Sequence, residues 1–201
     1  TDIWLSTCAL YSIGAHKLTE LAPIIETALS TENPLVRETA VDAFRHLYPS
    51  ERNVEKLLAF GLQGVHIMAL STIEKVLFLK SVPLFKQISG EKLVEMVPIV
   101  HEVRFDRGET FIKQGDEGDC LYIIVEGEVA IKVDGEEKAI RARGDILGEL
   151  AVLSEQPRTA DCVAQTDIIA LRIDKADFWE LMSERPEITI GVMKVLVSRY
   201  L

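Results

Sequence analysis

Fourteen residues, from Gly148 to Asp161, carry the side chains of this sequence that are best suited to bind a phosphate; they read Gly-Glu-Leu-Ala-Val-Leu-Ser-Glu-Gln-Pro-Arg-Thr-Ala-Asp. Arg158 can donate two hydrogen bonds from its planar guanidinium to one phosphate and does not lose its proton. The turn that begins at Gly148 offers backbone N–H groups, and glycine lets a ligand approach the chain closely. Glu149 is suited to accept a hydrogen bond from a sugar hydroxyl and to orient Arg158, and Thr159 adds a hydroxyl to the phosphate or the base. The run therefore predicts a pocket for a cyclic sugar phosphate; the simpler alternative is an ordinary ion pair across a loop.

The elements that must position this run differ on the two sides of residue 100, where the spacing of apolar residues changes. Before it, apolar residues recur every three or four positions, which is typical of helices. After His101 the period falls to two, and glycine and aspartate mark close turns, which favours an antiparallel sandwich or barrel. The candidate strands are His101–Phe105, Thr110–Lys113, Leu121–Val125, Glu128–Val133, Ala139–Arg143, Ala160–Ala164 and Ile168–Ile173. A helix over Lys175–Glu184 follows, and another begins at Pro186 and continues to Leu201.

The first part of the chain has three helical stripes, and the first and third are similar at an offset of about 31 residues. Asn33 and Pro34 predict a helix start, with a capping side chain followed by proline in the first turn. The segment from Asn33 to Phe44 resembles a helix start of the HEAT-repeat family, and a plain helical bundle is the alternative. The stripes consist of Trp4, Leu5, Cys8, Ala9 and Ile13; Leu18, Leu21, Ile24, Ile25 and Leu29; and Leu35, Val36, Ala40, Ala43 and Phe44.

Shorter helical segments are expected to connect the two parts. Residues 51–71 are predicted to form a helical connection, in which Gly61 and Gly64 would weaken the helix. A helix that starts at Thr72 has Glu74 in place to cap its first turn. A short helix from Glu91 to Val97 precedes the strands. The predicted domains are a HEAT-like segment with its linker at 1–70 and the strand-rich domain at 71–201.

Composition and charge exclude several classes of function. The formal charge is −10 and the pI is about 4.9, which argues against a general nucleic-acid surface because such surfaces need clustered lysine and arginine. The three cysteines have no metal-ligand spacing and are expected to be reduced thiols of a cytoplasmic protein. No apolar run reaches the roughly 20 residues of a membrane-spanning helix. The histidines are scattered and no catalytic triad is apparent, so we expect no enzyme, no catalytic residue and no metal site.

Residues 77 to 201 resemble the cyclic nucleotide-binding domain family. The resemblance implies an eight-stranded jelly-roll barrel with flanking helices, in which Glu149 contacts the ribose and Arg158 the cyclic phosphate. It also implies that the region of Gly148, Leu150 and Ala151 supplies backbone amides, with Thr159 and Ala160 completing the site. The motifs that carry it are Arg107-Gly108-Glu109 through Gln114-Gly115-Asp116; Leu121-Tyr122-Ile123-Ile124 with Gly127 and Val129; and Gly148-Glu149-Leu150-Ala151 with Pro157-Arg158-Thr159-Ala160.

Two positions depart from the family pattern. Asp161 stands where many members have threonine or serine, and strand alternation from Thr159 predicts that both side chains face the same way. A second carboxylate near the phosphate would weaken binding if it pointed inward. The final helix also ends at Leu201, before the point where members usually present residues that cover the base.

The function predicted from these features is a regulatory module in signal transduction. Its ligand is cAMP or cGMP, with a modest lead for cAMP on the family's general preference, and no other cofactor is expected. Binding would be transmitted through the C-terminal helices to a protein partner or an attached effector domain. The alternative is a barrel without ligand that serves, with the helical repeats, as a protein-docking unit. The order of helical repeats and barrel is similar to the soluble tails of nucleotide transporter fusions, which would make the chain the cytosolic part of a membrane protein; the oligomeric state is left open.

Overall fold

The computed structural model describes residues 2–49, 69–154 and 156–200, without the side chains of residues 195 and 198–200. The chain divides into two compact units, Thr1–Leu77 and Phe78–Leu201. Most of the predicted helical connection, including Gly61 and Gly64, lies outside the described residues. Each unit has its own hydrophobic core, and the functional residues predicted above all belong to the second.

The first unit contains the three predicted helices, α1 (Ile3–Ala15), α2 (Ala22–Ala28) and α3 (Pro34–Leu47). The predicted start of α3 is confirmed, since the Asn33 side chain accepts a hydrogen bond from the Val36 amide at 3.1 Å and Pro34 occupies the first turn. The three helices share one core, made of Leu10, Ile13, Ala22, Ile25, Leu29, Ala40, Val41, Ala43, Phe44 and Leu47.

The buried face of α1 differs from the predicted stripe. Ile13 is buried as expected, but Leu5 is 68% exposed and Ala9 is also exposed. A Cβ atom on Gly14 would lie 2.5 Å from the Cα of Ala43, so the backbones of α1 and α3 approach closely at this glycine. This contact selects the face of α1 that is buried. Because α1 is apolar on almost every side, its periodicity alone could not identify that face.

A capping box begins α4 (Thr72–Ser81), as predicted. The Glu74 carboxylate accepts hydrogen bonds from the Ser71 amide at 2.9 Å and from the Ser71 hydroxyl at 3.0 Å. The Asp42 side chain lies beside this cap, and its carboxylate accepts a hydrogen bond from the same hydroxyl at 3.4 Å. Burial, together with the neighbouring negative charge of Glu74, raises the pKa of Asp42 to about 6.

The second unit contains two antiparallel four-stranded sheets, with strand orders β1-β8-β3-β6 and β2-β7-β4-β5. The eight antiparallel strands that the resemblance implied are present, and among the described residues they pair only within each sheet, so no closed barrel is shown. The strands are β1 (His101–Phe105), β2 (Thr110–Ile112), β3 (Cys120–Glu126), β4 (Val129–Val133), β5 (Glu136–Arg141), β6 (Ile146–Leu147), β7 (Asp161–Ala164) and β8 (Ile168–Asp174).

Two strands differ from the sequence-based expectation. β6 has no counterpart among the predicted strands, because a strand of two residues is too short to show a period. The predicted strand Ala139–Arg143 begins earlier, at Glu136, because Asp134 and Gly135 form a tight turn with φ values of 53° and 81°. The first residues of β5 are charged and exposed, which concealed the strand from a pattern based on apolar residues.

Helices flank the sheets of the second unit. They are α5 (Gly90–Met96), α6 (Glu149–Ser154), α7 (Lys175–Glu184) and α8 (Pro186–Tyr200). Contacts of α6 reach the C-terminal helices, since the Trp179 indole N–H donates to the backbone carbonyl of Val152 at 3.1 Å. Within the described ranges, none of the helices combines the length and the apolar character that crossing a bilayer requires.

Candidate functional site

The segment of residues 148–160, called the cassette below, links β6 to β7 through α6. β6 is anchored by its pairing with Tyr122 and Ile123 of β3. Gly148 follows it with a φ of +79°, a left-handed conformation that permits the sharp turn into α6. Glu149 and Ala151 of α6 are buried, so this short helix is fixed against the sheet.

Arg158 is buried, with 6% of its surface exposed, and its guanidinium is held by backbone carbonyls. Its Nη1 donates to the carbonyl of Gly148 at 2.9 Å, and its Nη2 donates to the carbonyl of Cys120 at 2.7 Å. An ion pair with Asp119 is longer, 3.9 Å, and the Asp119 side chain is 78% exposed. Such an exposed partner contributes little. The orientation of Arg158 is therefore set mainly by neutral backbone groups.

The backbone of Arg158 is fixed as firmly as its side chain. Its amide donates to the carbonyl of Asp116 at 2.8 Å, and its own carbonyl accepts from the Gly115 amide at 2.9 Å. The guanidinium carries five N–H donors, so the two carbonyl bonds leave donors for a ligand. These contacts place a preorganised cation at one end of the cassette.

Two glycines make room for this guanidinium. A Cβ atom on Gly148 would lie 2.2 Å from Nη1 of Arg158, and one on Gly118 would lie 3.1 Å from its Cζ and 2.3 Å from the Cβ of Ala151. Any larger residue at either position would have to displace Arg158 or α6. The role of Gly118 could not be predicted from the sequence, because nothing local indicates that this glycine faces a residue forty positions later.

All seven residues predicted from the sequence lie around one cavity in the second unit. They are Gly148, Glu149, Leu150, Ala151, Arg158, Thr159 and Ala160. The other lining residues come from the sheets, namely Ile112, Ile131, Arg141, Ile146, Leu147 and Cys162. The cavity thus has a polar side formed by the cassette and a largely apolar side formed by strands, the usual combination in a small-molecule site.

The polar groups of the cavity differ in their surroundings. Glu149 is 7% exposed and Thr159 is exposed. In the first turn of α6, where a helix leaves backbone N–H groups without intrahelical partners, Leu150 and Ala151 line the cavity. Cys162 is a free thiol, and burial raises its pKa to about 12, which keeps it protonated and unreactive near neutral pH.

Asp161 does not line this cavity, although strand alternation predicted that it shares the side of Thr159. Its carboxylate accepts a hydrogen bond from the backbone N–H of Gln114 at 2.7 Å. The next residue, Cys162, is the one that faces the cavity, and successive side chains of a strand point to opposite faces. The prediction failed because Thr159 precedes β7, where the alternation does not yet hold. The second carboxylate is therefore occupied in joining β7 to the loop after β2.

Sequence and structure comparisons agree with this arrangement. Residues 102–185 match the family model of the cyclic nucleotide-binding domain. The chain is 35% identical over 119 residues to a Drosophila melanogaster cGMP-dependent protein kinase, isozyme 2 forms cD5/T2, covering 55% of this chain and 13% of that protein. It is 32% identical over 107 residues to the cAMP-dependent protein kinase regulatory subunit of Emericella nidulans, covering 52% of this chain and 26% of that protein.

Among solved structures, the N-terminal domain of a transcriptional regulator from Streptomyces coelicolor superposes with a TM-score of 0.51 at 31% identity, covering 61% of this chain and 91% of that domain. The chain spans only 13% and 26% of the two kinase-related proteins, so the similarity concerns one domain of each. The match of residues 102–185 shows that this part of the chain is a cyclic nucleotide-binding domain, which is a regulatory and not a catalytic fold.

Proposed function

We propose that the chain is a regulatory module that binds cAMP or cGMP in the cavity beside the cassette. The cyclic phosphate contacts Arg158 and the backbone amides of the region of Gly148, Leu150 and Ala151. Glu149 accepts a hydrogen bond from the ribose 2′-hydroxyl. The predicted role of Glu149 in orienting Arg158 is not part of this proposal, because the carbonyls of Gly148 and Cys120 hold the guanidinium. Thr159 and Ala160 complete the wall next to the phosphate.

The observation that carries this proposal is the buried guanidinium of Arg158 at the wall of the cavity. A buried charge is costly unless it is hydrogen-bonded and paired with an opposite charge. Arg158 donates hydrogen bonds to two carbonyls, while the carboxylate that pairs with it, Asp119, is 3.9 Å away and exposed. A monoanionic ligand would supply the missing negative charge at short range. The family membership of the domain supports the same ligand class.

We expect ligand binding to reach the C-terminal helices through α6. The Trp179 indole of α7 is bonded to α6 at the carbonyl of Val152, so a tightening of the cassette around the phosphate would act directly on α7. The terminal helix α8 would then move at its junction with α7, which is Arg185. A ligand shifts such an equilibrium only by the difference in its affinity for the two arrangements.

The proposed organisation is a HEAT-like segment with its linker at 1–70 and a cyclic nucleotide-binding domain at 71–201. The capped start of α3 and its close packing with α1 support the helical-repeat assignment. A cytoplasmic location, an attached effector and the role of cytosolic sensor in a nucleotide transporter fusion belong to this proposal. No nucleic-acid partner, membrane segment or metal is part of it.

Isothermal titration calorimetry with cAMP and cGMP tests the proposal. Arg158→Ala should weaken binding by about 2–5 kcal/mol, because the phosphate loses its charged partner. Arg104→Ala is the matched control. Arg104 lies on β1, forms an ion pair with Glu102 at 2.8 Å and does not line the cavity. Equal affinity of the wild type and Arg158→Ala would refute the assignment. A wild-type protein that neither binds nor is stabilised by either nucleotide in a thermal-shift assay would favour the docking-unit alternative.

A further inference from the structure

One face of α1 is apolar and lies at the surface of the first unit. Leu5 is 68% exposed, and Ala9 and Ser12, which follow it at helical spacing, are exposed as well. The 13 residues of α1 include no charged side chain. A helix that is apolar on every side is normally buried on every side. The face formed by Leu5, Ala9 and Ser12, called the outer face below, is therefore suited to a partner.

The internal repeat indicates that the outer face is shaped to pack against a helix. At the offset of about 31 residues that relates α1 to α3, the outer face corresponds to Val36, Ala40 and Ala43. In α3 these three residues pack into the core of the first unit, and the backbone at Ala43 closely approaches Gly14 of α1. The distance between packed helices depends on the size of the side chains at the contact. The outer face has the same order of one larger aliphatic residue and two small ones, so a second helix can approach it closely.

The charges at the two ends of α1 favour a second copy of this chain as the partner. Asp2 caps the N-terminus of α1, and Lys17 follows its C-terminus with an exposed side chain. A two-fold axis brings the same surface of both copies together, so the two α1 helices are antiparallel across it. Ala9 is seven positions from both Asp2 and His16. An axis at Ala9 thus places the carboxylate of Asp2 in each copy beside His16 and Lys17 of the other copy.

We propose that the chain forms a two-fold symmetric dimer through the outer faces of α1, with Ala9 at the axis. Burial of Leu5 from both copies supplies the hydrophobic contribution to association. Ile24 of α2, which is 52% exposed and lines the same groove as Ala9, extends the apolar contact. The lack of charged residues within α1 keeps the negative charge of the chain away from the centre of this interface. The dimer requires no nucleotide, and the function proposed above does not require the dimer.

Sedimentation velocity of the full chain from about 1 μM to about 1 mM tests the proposal, and wild type should pass from monomer toward dimer in this range. Leu5→Glu should weaken the dimer by roughly 100-fold or more, because two leucines lose burial and two carboxylates enter the interface. Ile140→Glu is the matched control, since Ile140 is an aliphatic residue, 53% exposed, on β5 of the second unit. It should dimerise like wild type. Circular dichroism checks that both variants keep the helical content of wild type.

Cross-linking with a carbodiimide, which joins a carboxylate directly to a lysine amine, tests the antiparallel arrangement. Asp2 and Lys17 of one copy are about 22 Å apart along the helix, which is too far for this bond, so a peptide that joins them should come only from the dimer. Lys17→Glu should weaken the dimer by roughly 2- to 30-fold, because it replaces two ion pairs with like charges. Wild type that stays monomeric up to about 1 mM, a dimer unaffected by Leu5→Glu, or a dimer without this cross-link would each overturn the proposal.

Discussion

Gly118→Ala tests whether the position of Arg158 governs ligand binding. Gly118 precedes β3 and has no unusual φ, so the substitution acts only through the space that the new methyl group needs. That methyl carbon would lie 2.3 Å from the Cβ of Ala151 and 3.1 Å from the Cζ and Nε atoms of Arg158. Both neighbours belong to the cassette, which must move to relieve the overlap.

The size of the effect follows from these distances. Two carbon atoms pack best at about 3.5–4.0 Å, so the new methyl carbon and the Cβ of Ala151 must move apart by about 1.2 Å or more. Overpacking of this kind lowers the free energy of unfolding by about 1–3 kcal/mol. Displacement of Arg158 should also cost one charge-assisted hydrogen bond to the phosphate, about 1.5–3 kcal/mol, or roughly a 10- to 150-fold loss of affinity.

Urea denaturation and calorimetry with cGMP measure the two effects separately. Gly135→Ala is a control with a similar expected loss of stability, because Gly135 has a φ of +81°, while the space around it is open. Placing alanine in that left-handed conformation costs about 1–2 kcal/mol, but the hairpin does not line the cavity, so affinity should not change. The reasoning is refuted if Gly118→Ala binds like wild type, or if Gly135→Ala loses affinity to the same extent.

Three further predictions concern stability. The folded pKa of Asp42, about 6, lies above its unfolded value of 3.8, so the free energy of unfolding should be highest below about pH 4 and fall by about 3 kcal/mol as the pH rises to about 6. Asp42→Asn should remove that fall in urea melts across this range. An unchanged pH profile of the variant would contradict this prediction. Asp161→Ala leaves the backbone N–H of Gln114 without its acceptor and should lower the free energy of unfolding by about 1–3 kcal/mol, with unchanged affinity for cGMP. A loss of affinity would show that Asp161 acts on the cavity. Trp179→Phe removes the indole donor to α6 and should cost about 0.5–1.5 kcal/mol in thermal melts; wild-type stability would show that this bond contributes nothing.

The site was predictable where the chemistry is local in sequence. Glu149 and Arg158 lie nine positions apart. The glycine before Glu149, and the helical turn and proline between the two residues, leave few ways to arrange the two side chains. Arg141 was not predictable in this way. A lone arginine near the end of an acidic hairpin reads as a solvated charge, and only the pairing of β5 with β4 brings it to the cavity.

The same division applies to the fold. Capping residues and alternation define α3, α4 and most strands, because a cap and a period are properties of neighbouring residues. The buried face of α1 depends on the approach of Gly14 to Ala43 of another helix. The side chain of Asp161 is directed by an amide forty-seven positions away.

The sequence alone determined which side chains are available to bind a ligand, a guanidinium and a carboxylate nine positions apart, and it predicted a phosphate as their ligand, because residue types and short spacings specify that chemistry. Only the tertiary structure decided what surrounds it. The carbonyl of Cys120 that holds Arg158, the space left by Gly118 and the second cation of Arg141 all come from strands and loops distant in sequence. Their positions depend on sheet register and close packing, which no local pattern encodes.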